Sequence, residues 1–285
     1  NSKGRIFATD VNLSAGSLGN LLGRIEARNA LLMQVSGVLD NRQGAILGAT
    51  TTLAGAALNN AAGLIQSDSL LTLSYSDALN NRSGRLLAGQ SLALTAGSLD
   101  NTLGRVASDG TLGVTVSGQA INQAGLLGAV GAVQVSAASL DNQIDGLISS
   151  KSNLTLDVTR FDNRGGSVVA VGTLSLGSAQ LDNRQAGLIN SGKTMTLRIG
   201  SLDNRGGDVA STANLIVTGS SFDNSNGGRL LANGDLQLTL ASLGNWLSGI
   251  ISGQQSVSVS AGQFDNGDQG SLYGKTGVNL TLRDG

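Results

Sequence analysis

The stretch LDNRQGAIL, residues 39–47, recurs in slightly altered form as LDNTLGRV (99–106), LDNRQAGLI (181–189) and FDNSNGGRL (222–230). The third residue of each copy is an Asn, and the steps between successive copies of this Asn along the chain are 19, 20 or 21 residues. A fixed period of this kind is the signature of a repeat architecture, so one structural unit fills the sequence. The 14 positions are Asn1, Asn20, Asn41, Asn60, Asn81, Asn101, Asn122, Asn142, Asn163, Asn183, Asn204, Asn224, Asn245 and Asn266.

The composition is not that of an ordinary globular domain. The 285 residues include 42 Gly, only 2% aromatic residues, and no Pro, Cys or His. The formal net charge of -1 provides no electrostatic basis for binding nucleic acid or an anionic membrane. No apolar run approaches the roughly 20 residues that a membrane span requires. We therefore expect no nucleic-acid partner and no membrane insertion of this segment.

Between one Asn and the next, apolar residues alternate with polar or small ones, as in residues 84–101, where Leu92, Leu94 and Ala96 share one face. A period of two predicts strands, so each repeat should contain two or three short strands joined by Gly-containing bends. About 20 residues cannot bury their own apolar side, and each unit must therefore stack on its neighbours. The sequence predicts a parallel β-helix of about 14 coils with a 19–21-residue repeat, forming a single array over residues 1–285.

The predicted geometry accounts for both the missing Pro and the repeated Asn. Pro would delete a hydrogen bond from the middle of a stacked sheet. Asn tolerates the left-handed conformation of a tight turn, and its amide both donates and accepts. Identical Asn side chains stacked at about 4.8 Å can bond one another along the helix axis. We expect the 14 Asn residues to form a structural ladder, with one Asn at the corner of every coil.

Charged residues flank this corner. Asp precedes the Asn in eight repeats and Arg follows it in five, at Asp40, Asp100, Asp141, Asp162, Asp182, Asp203, Asp223, Asp265, Arg42, Arg82, Arg164, Arg184 and Arg205. Stacked carboxylates about 5 Å apart repel one another, so we expect the Arg side chains to form an alternating ladder of exposed ion pairs with them. The candidates for surface contacts are Asp162, Arg164, Asp182, Arg184, Tyr273 and Trp246. Of the other aromatic residues, Tyr75 is predicted to fill the core.

Catalytic constellations are largely excluded by composition. Without His or Cys there is no Ser-His-Asp triad, thiol nucleophile or usual zinc site. The only Glu is Glu26, so a glycosidase would need to take both carboxylates from Asp. The Asp row leaves open a calcium-assisted polysaccharide lyase, but the uniform repeat length provides no long loops to build its cleft. We predict no enzyme activity, no cofactor and no bound metal, with the lyase as a distant alternative.

Three stretches carry a family resemblance: LDNRQGAILGATTTLAGAALNN (39–60), LLAGQSLALTAGSLDN (86–101) and FDNRGGSVVAVGTLSLGSAQLDN (161–183). They resemble the repeats of filamentous haemagglutinins and of contact-dependent growth-inhibition exoproteins, the large secreted partners of bacterial two-partner secretion systems. The resemblance covers essentially the whole chain. It implies a right-handed β-helical filament that is exported by a dedicated outer-membrane transporter and reaches the surface of a Gram-negative bacterium.

The function implied by this resemblance is structural. Because the sequence begins and ends within the repeats, we expect a segment of a longer exoprotein, without caps, that acts as a shaft for a distal adhesive or toxin domain. The export signal and the toxin of such proteins have no counterpart in the residues given. The alternative is an adhesin whose lateral face binds a carbohydrate or a cell-surface receptor. The two interpretations differ in whether this segment itself has a binding partner on the target cell.

Overall fold

A computed structural model describes residues 1–283, which form 31 strands and no helix. The strands, numbered in chain order, are parallel and belong to two sheets. About 13 turns of roughly 21 residues form a β-solenoid, which confirms the predicted parallel β-helix. The chain divides into two compact units, Asn1–Asp141 and Asn142–Gly285, called here unit 1 and unit 2.

In unit 1, the first sheet contains one four-residue strand per coil. These strands are β1 (Arg5–Ala8), β4 (Arg24–Ala27), β6 (Ala45–Gly48), β8 (Leu64–Ser67), β11 (Arg85–Ala88), β14 (Arg105–Ser108) and β16 (Leu126–Ala129). The second sheet contains β2 (Val11–Ala15), β3 (Leu18–Gly19), β5 (Ala30–Asp40), β7 (Thr50–Asn59), β9 (Leu70–Tyr75), β10 (Ala78–Asn80), β12 (Ser91–Ala96), β13 (Ser98–Asp100), β15 (Thr111–Ile121) and β17 (Val133–Asp141). Register shifts interrupt this sheet between Val35 and Val38 and between Val116 and Gln119.

Unit 2 is more uniform, with two strands in every coil. Its first sheet contains β18 (Leu147–Ser150), β20 (Ser167–Ala170), β22 (Leu188–Ser191), β24 (Asp208–Ser211), β26 (Arg229–Ala232), β28 (Ile250–Gly253) and β30 (Ser271–Gly274). Its second sheet contains β19 (Leu154–Asp162), β21 (Leu174–Asp182), β23 (Met195–Asp203), β25 (Leu215–Asp223), β27 (Leu236–Gly244), β29 (Ser256–Asp265) and β31 (Gly277–Leu282).

The core of each unit is a set of stacked aliphatic columns. In the first sheet, the second residue of nearly every strand is an Ile, Leu or Val with no solvent exposure, and the register places Ile25, Ile46 and Ile65 directly above one another. Leu92 and Leu94 of the second sheet are equally buried, as their alternation predicted. Burial of one such side chain contributes about 1.5–3 kcal/mol, so each coil is held mainly by the coils on either side of it.

Tyr75 fills the core of unit 1, as the alternation predicted, with 3% of its surface exposed. Gly55 is its partner in the register. Burial raises the pKa of the Tyr75 phenol. The hydroxyl has no hydrogen-bond partner among residues 1–283, so the ring contributes to packing while its oxygen carries a desolvation cost.

Candidate functional site: the asparagine corner

The 14 repeated Asn side chains form two continuous amide ladders, one in each unit. In unit 1, each Nδ2 from Asn1 to Asn101 donates to Oδ1 of the next Asn, over 2.7–2.8 Å. In unit 2 the same bonds run from Asn142 to Asn266 at 2.7–2.8 Å. All the Asn residues between the first and the last are fully buried. Every amide therefore points in the same direction along its ladder, and each bond joins two successive coils.

Most of these amides also close their own turn, as Asn41 illustrates. Nδ2 of Asn41 lies 3.4 Å from the carbonyl of Gly44 and 3.2 Å from the carbonyl of Leu64 in the following coil. The Gly44 amide donates back to the Asn41 carbonyl at 3.0 Å. One buried side chain thus satisfies backbone groups in two coils. This explains why neither a shorter polar residue nor an apolar one replaces it in any repeat.

The structure corrects the conformation expected for these Asn residues. None of the repeated Asn residues has a positive φ; the left-handed residue stands two positions later, as at Gln43 (φ 54°) and Leu103 (φ 56°). The Asn keeps a negative φ, because its side chain must point inward to reach the ladder. The chain changes direction at the left-handed residue two positions later. There, the Gln43 amide donates to the Ala61 carbonyl of the next coil at 3.1 Å.

The Gly that follows each Asn is required by lack of space rather than by φ. A Cβ on Gly44 would lie 2.7 Å from Oδ1 of Asn41 and still closer to the carbonyl oxygen of Asn20 in the preceding coil. The turn from Asn to Gly spans four residues throughout unit 1, whereas unit 2 contains both four- and five-residue turns. The five-residue turns hold two successive left-handed residues, as at Ile144 (φ 53°) and Asp145 (φ 60°).

In unit 2 the flanking charges form a continuous ladder on the outside of the corner. Arg164 contacts Asp162 of its own coil at 2.7 Å and Asp182 of the next at 3.5 Å. Arg184 repeats this pattern with Asp182 at 2.7 Å and Asp203 at 3.3 Å. The pattern continues through Arg205 to Asp203 at 2.6 Å and Asp223 at 3.5 Å. Four of the six sequence-predicted contact residues therefore lie in one network, and their charges largely neutralise one another.

The electrostatics follow from these contacts. Burial raises the pKa of Asp203, but the hydrogen bonds and positive charge of Arg205 outweigh it, so the pKa lies below its usual value. The hydrogen bond that Arg184 donates to Asp182 is the main cause of the raised pKa of Arg184. Both groups therefore stay charged throughout the neutral range. Because the side chains remain 26–39% exposed from Asp162 to Arg205, solvent screening keeps each pair weak.

In unit 1 the outside of the corner is discontinuous. Arg42 pairs only with Asp40 of its own coil, at 2.7 Å. In the next two coils, Asn80 Nδ2 donates to Asn59 Oδ1 at 3.2 Å, so an uncharged amide pair replaces the carboxylates. Arg82 reaches forward to Asp100 of the following coil at 3.0 Å. The ion pairs of unit 1 are thus isolated, although its Asn ladder is unbroken.

The two aromatic candidates lie apart from the ion ladder. Trp246 is half-buried, because its indole lies over Gly244: a Cβ there would be 3.4 Å from Nε1. Gly244 occupies the position that Asp holds in neighbouring coils, so Trp246 covers the corner where the carboxylate is missing. Tyr273 lies on the outer face of the first sheet and is 50% exposed. The structure does not bring either aromatic residue together with the four charged candidates.

A second corner was not anticipated from the sequence. The last residue of each first-sheet strand is Ala, Gly or Ser, and the Ser hydroxyls bond to turn carbonyls. Ser67 Oγ lies 2.9 and 2.8 Å from the carbonyl oxygens of Ala49 and Leu70, so its one proton can bond to either. The sequence signal was available, because this small residue always stands four positions after the conserved turn Gly. The signal is weak because three residue types share the position.

Within the described part of the chain, no group of three or more acidic side chains is arranged to hold a metal ion. Nor does any helix there have the length and hydropathy to cross a membrane. The fold and the two ladders define a parallel β-helix repeat protein whose coils are joined through internal asparagines.

The comparisons identify the family. The haemagglutinin repeat matches residues 8–137, 109–185, 177–239 and 241–284, so this chain belongs to the haemagglutinin repeat family, and the resemblance to filamentous haemagglutinin-type repeats is confirmed. The family is a structural and adhesin family, associated with secreted surface proteins, rather than an enzyme family. No curated protein and no solved structure matches the chain.

Proposed function

We propose that this segment is the shaft of a secreted surface exoprotein of a Gram-negative bacterium, and that it holds a distal adhesive or toxin domain away from the cell. The observation that supports the proposal is the unbroken Asn ladder through successive coils of each unit. Each coil repeats the same internal contacts, so length is added without any new fold. Export through a two-partner secretion transporter agrees with a chain that contains no disulfide or Pro to delay folding.

Deletion of whole coils in the intact exoprotein tests the shaft. Removing residues 163–244 joins Asp162 to Asn245, and this restores the Asp-Asn junction while four coils are lost. We expect secretion to be retained and the activity of the distal domain in a cell-contact assay to fall, because reach is shortened. The matched control moves the four coils to another in-register junction, so that length and composition are unchanged. Equal activity of the deletion and the control would contradict the proposal.

The second candidate is an adhesin whose lateral face binds a carbohydrate or receptor. The observation that favours it is the half-exposed charge network of unit 2, where Asp162, Arg164, Asp182 and Arg184 present both signs of charge on one edge. Binding of the labelled purified chain to bacterial cells, epithelial cells and a glycan array tests it. Saturable binding that is lost on replacing Arg164 and Arg184 by Gln favours the adhesin, whereas a lack of saturable binding on every surface favours the shaft.

An enzyme remains the least favoured function. A polysaccharide lyase would need a cleft, but the carboxylates of the corner are already engaged by arginines. Turnover of a uronate polymer by the purified chain, with and without calcium, is the assay that would revive it.

A further inference from the structure

A groove of about 370 Å³ crosses the outer face of the first sheet of unit 1, over strands β8, β11 and β14. We call it the β8–β14 groove. Leu87 and Ala107 form its apolar floor, and the polar side chains that line it are Gln66, Asp68, Arg105 and Asp109. It lies on a different face from the asparagine corner, so the shaft proposed above neither requires it nor explains it.

The charged side chains at this groove have no partners within the protein. Among residues 1–283, Asp68, Asp109 and Arg105 make no ion pair within 4.0 Å, and all three are exposed. Arg85, which the register places directly beside Arg105, is equally unpaired. Arg229 provides the contrast, because it begins β26 at the equivalent position and contacts Asp208 at 3.4 Å. Two Arg residues therefore stand at adjacent positions of neighbouring strands, and neither is engaged in an ion pair among residues 1–283.

The two signs of charge occupy opposite ends of the groove. Arg105 begins β14 and Asp109 follows its last residue, so about 13 Å of extended chain separates their backbones. Asp68 and Asp109 stand two coils apart, on either side of Gly89, which has no side chain to fill the gap. The Asn ladder holds the cationic end in register, since Asn81 Nδ2 bonds the Arg105 carbonyl at 3.4 Å.

We propose that the β8–β14 groove binds a zwitterionic ligand, namely a phosphate ester that carries a primary amine. The phosphate contacts the guanidinium groups of Arg105 and Arg85, and the ammonium lies between the carboxylates of Asp68 and Asp109. Guanidinium forks match phosphate oxygens bidentately, and an ammonium has three donors for carboxylate oxygens. The two aspartates would repel a simple anion, and the two arginines would repel a simple cation. Only a ligand that carries both charges is attracted at both ends.

This chemistry occurs in phosphoethanolamine, either free or as a lipid headgroup. The test is calorimetric titration of the purified chain with O-phosphoethanolamine, beside inorganic phosphate and ethanolamine alone. We expect saturable binding of O-phosphoethanolamine, and affinities lower by on the order of tenfold for each half-ligand, because each lacks one charged end. Vesicles that contain phosphatidylethanolamine distinguish the sources: binding to them assigns a lipid headgroup, and binding of the soluble ester alone assigns a free ligand.

The variants make the assignment specific. Arg105→Gln and Asp109→Asn should each lower the affinity for O-phosphoethanolamine by on the order of tenfold, since each removes one charged contact. Arg229→Gln is the matched control, at the same strand position in unit 2, and should leave the affinity unchanged. All three residues are exposed, and circular dichroism melts verify that the variants fold. Equal affinity for inorganic phosphate and the full ligand, equal losses in the control, or no saturable binding would each overturn the proposal.

Discussion

The Asn corners of the two units have equivalent buried interiors but differ on their exposed outer sides. Inside, both have the same buried amide ladder with Asn–Asn bonds of 2.7–2.8 Å. Outside, unit 2 carries an ion ladder from Asp162 to Asp223, whereas unit 1 has isolated pairs and one amide pair. Turn length follows the same division, since unit 1 contains only four-residue turns and unit 2 contains both lengths.

This difference separates what the fold requires from what it tolerates. A buried amide without its partners would lose several hydrogen bonds at once, so every coil keeps the Asn. An exposed ion pair contributes at most about 1 kcal/mol, so a coil that lacks one still stacks. The interior of the corner is therefore constant, and the exterior varies from coil to coil. Five expected outcomes test this division.

The largest effect is expected from a charge in the amide ladder. Asn101→Asp in unit 1 and Asn204→Asp in unit 2 should each lower the free energy of unfolding by about 3–5 kcal/mol, because an unpaired carboxylate becomes buried. Burial raises the pKa of the introduced carboxyl above its unfolded value, so stability should recover as the pH falls towards about 4. Urea unfolding at several pH values measures both. Clearly unequal losses of unfolding free energy for the two variants would show that the ladders of the two units are not equivalent.

The next effect concerns the turn Gly. Gly84→Ala should cost about 3 kcal/mol, because the added Cβ would lie 2.6 Å from Asn81 Oδ1 and closer still to the Asn60 carbonyl oxygen. Gly113→Ala is the matched control, since its strand position has no atom within 4 Å of an added Cβ, and it should be neutral or slightly stabilising. Urea midpoints compare the two. Similar midpoints for both variants would show that space is not the constraint.

The ion ladder should matter less, and only in unit 2. Arg184→Gln removes contacts to Asp182 and Asp203 and should cost about 1 kcal/mol, allowing for solvent screening of a side chain that is 38% exposed. Arg42→Gln removes a single pair in unit 1 and should cost less. Thermal melts at low and high salt measure the difference, which should vanish near 1 M salt, where the screening length is about 3 Å. Persistence at high salt would point to packing instead.

Low pH should affect the stability of the outer side of the Asn corner differently in the two units. The pKa of Asp203 is lowered in the folded state, so its contribution is present above its unfolded pKa of about 3.9 and is lost as the pH falls through the folded value. The amide pair of Asn59 and Asn80 does not titrate. Hydrogen exchange, corrected for intrinsic rates, should therefore accelerate around Asp203 more than around Asn80 as the pH falls below about 4. Equal acceleration around Asp203 and Asn80 would show that the ion ladder does not cause the effect of acid.

The smallest effect is expected at the left-handed turn residues. Leu103→Gly in a four-residue turn and Ile144→Gly in a five-residue turn should stabilise by about 0.5–1 kcal/mol, because Gly relieves the cost of positive φ. The gain should be larger for Ile144, since a β-branched residue fits this conformation worst. Thr102→Gly, at a residue whose φ is not positive, is the control and should destabilise. Urea midpoints rank the stabilities of the three variants. A lower midpoint for Ile144→Gly would mean that the exposed Ile144 side chain makes a stabilising contact.

The repeat and its alternation were readable from the sequence. The steps between Asn residues predicted the coils, and the alternation of Leu92 and Leu94 predicted which side chains face inward. The alternating charges at Asp182 and Arg184 were also anticipated, because stacked like charges require counter-charges. The left-handed conformation expected for the Asn was wrong. It depends on the ladder bonds to Asn residues in other coils, which the sequence of one coil does not contain.

Everything that depends on the period could be derived from the order of residues alone: the solenoid, one corner Asn per coil, and the exclusion of Pro from the stacked strands. Features that depend on the coil above or below could be found only in the folded chain. Gly44 is required because the carbonyl of Asn20 lies beside it, and Arg105 stands unpaired beside Arg85 because the register places it there. Period is a property of order along the chain, whereas these contacts join residues about 20 positions apart and exist only once the coils are stacked.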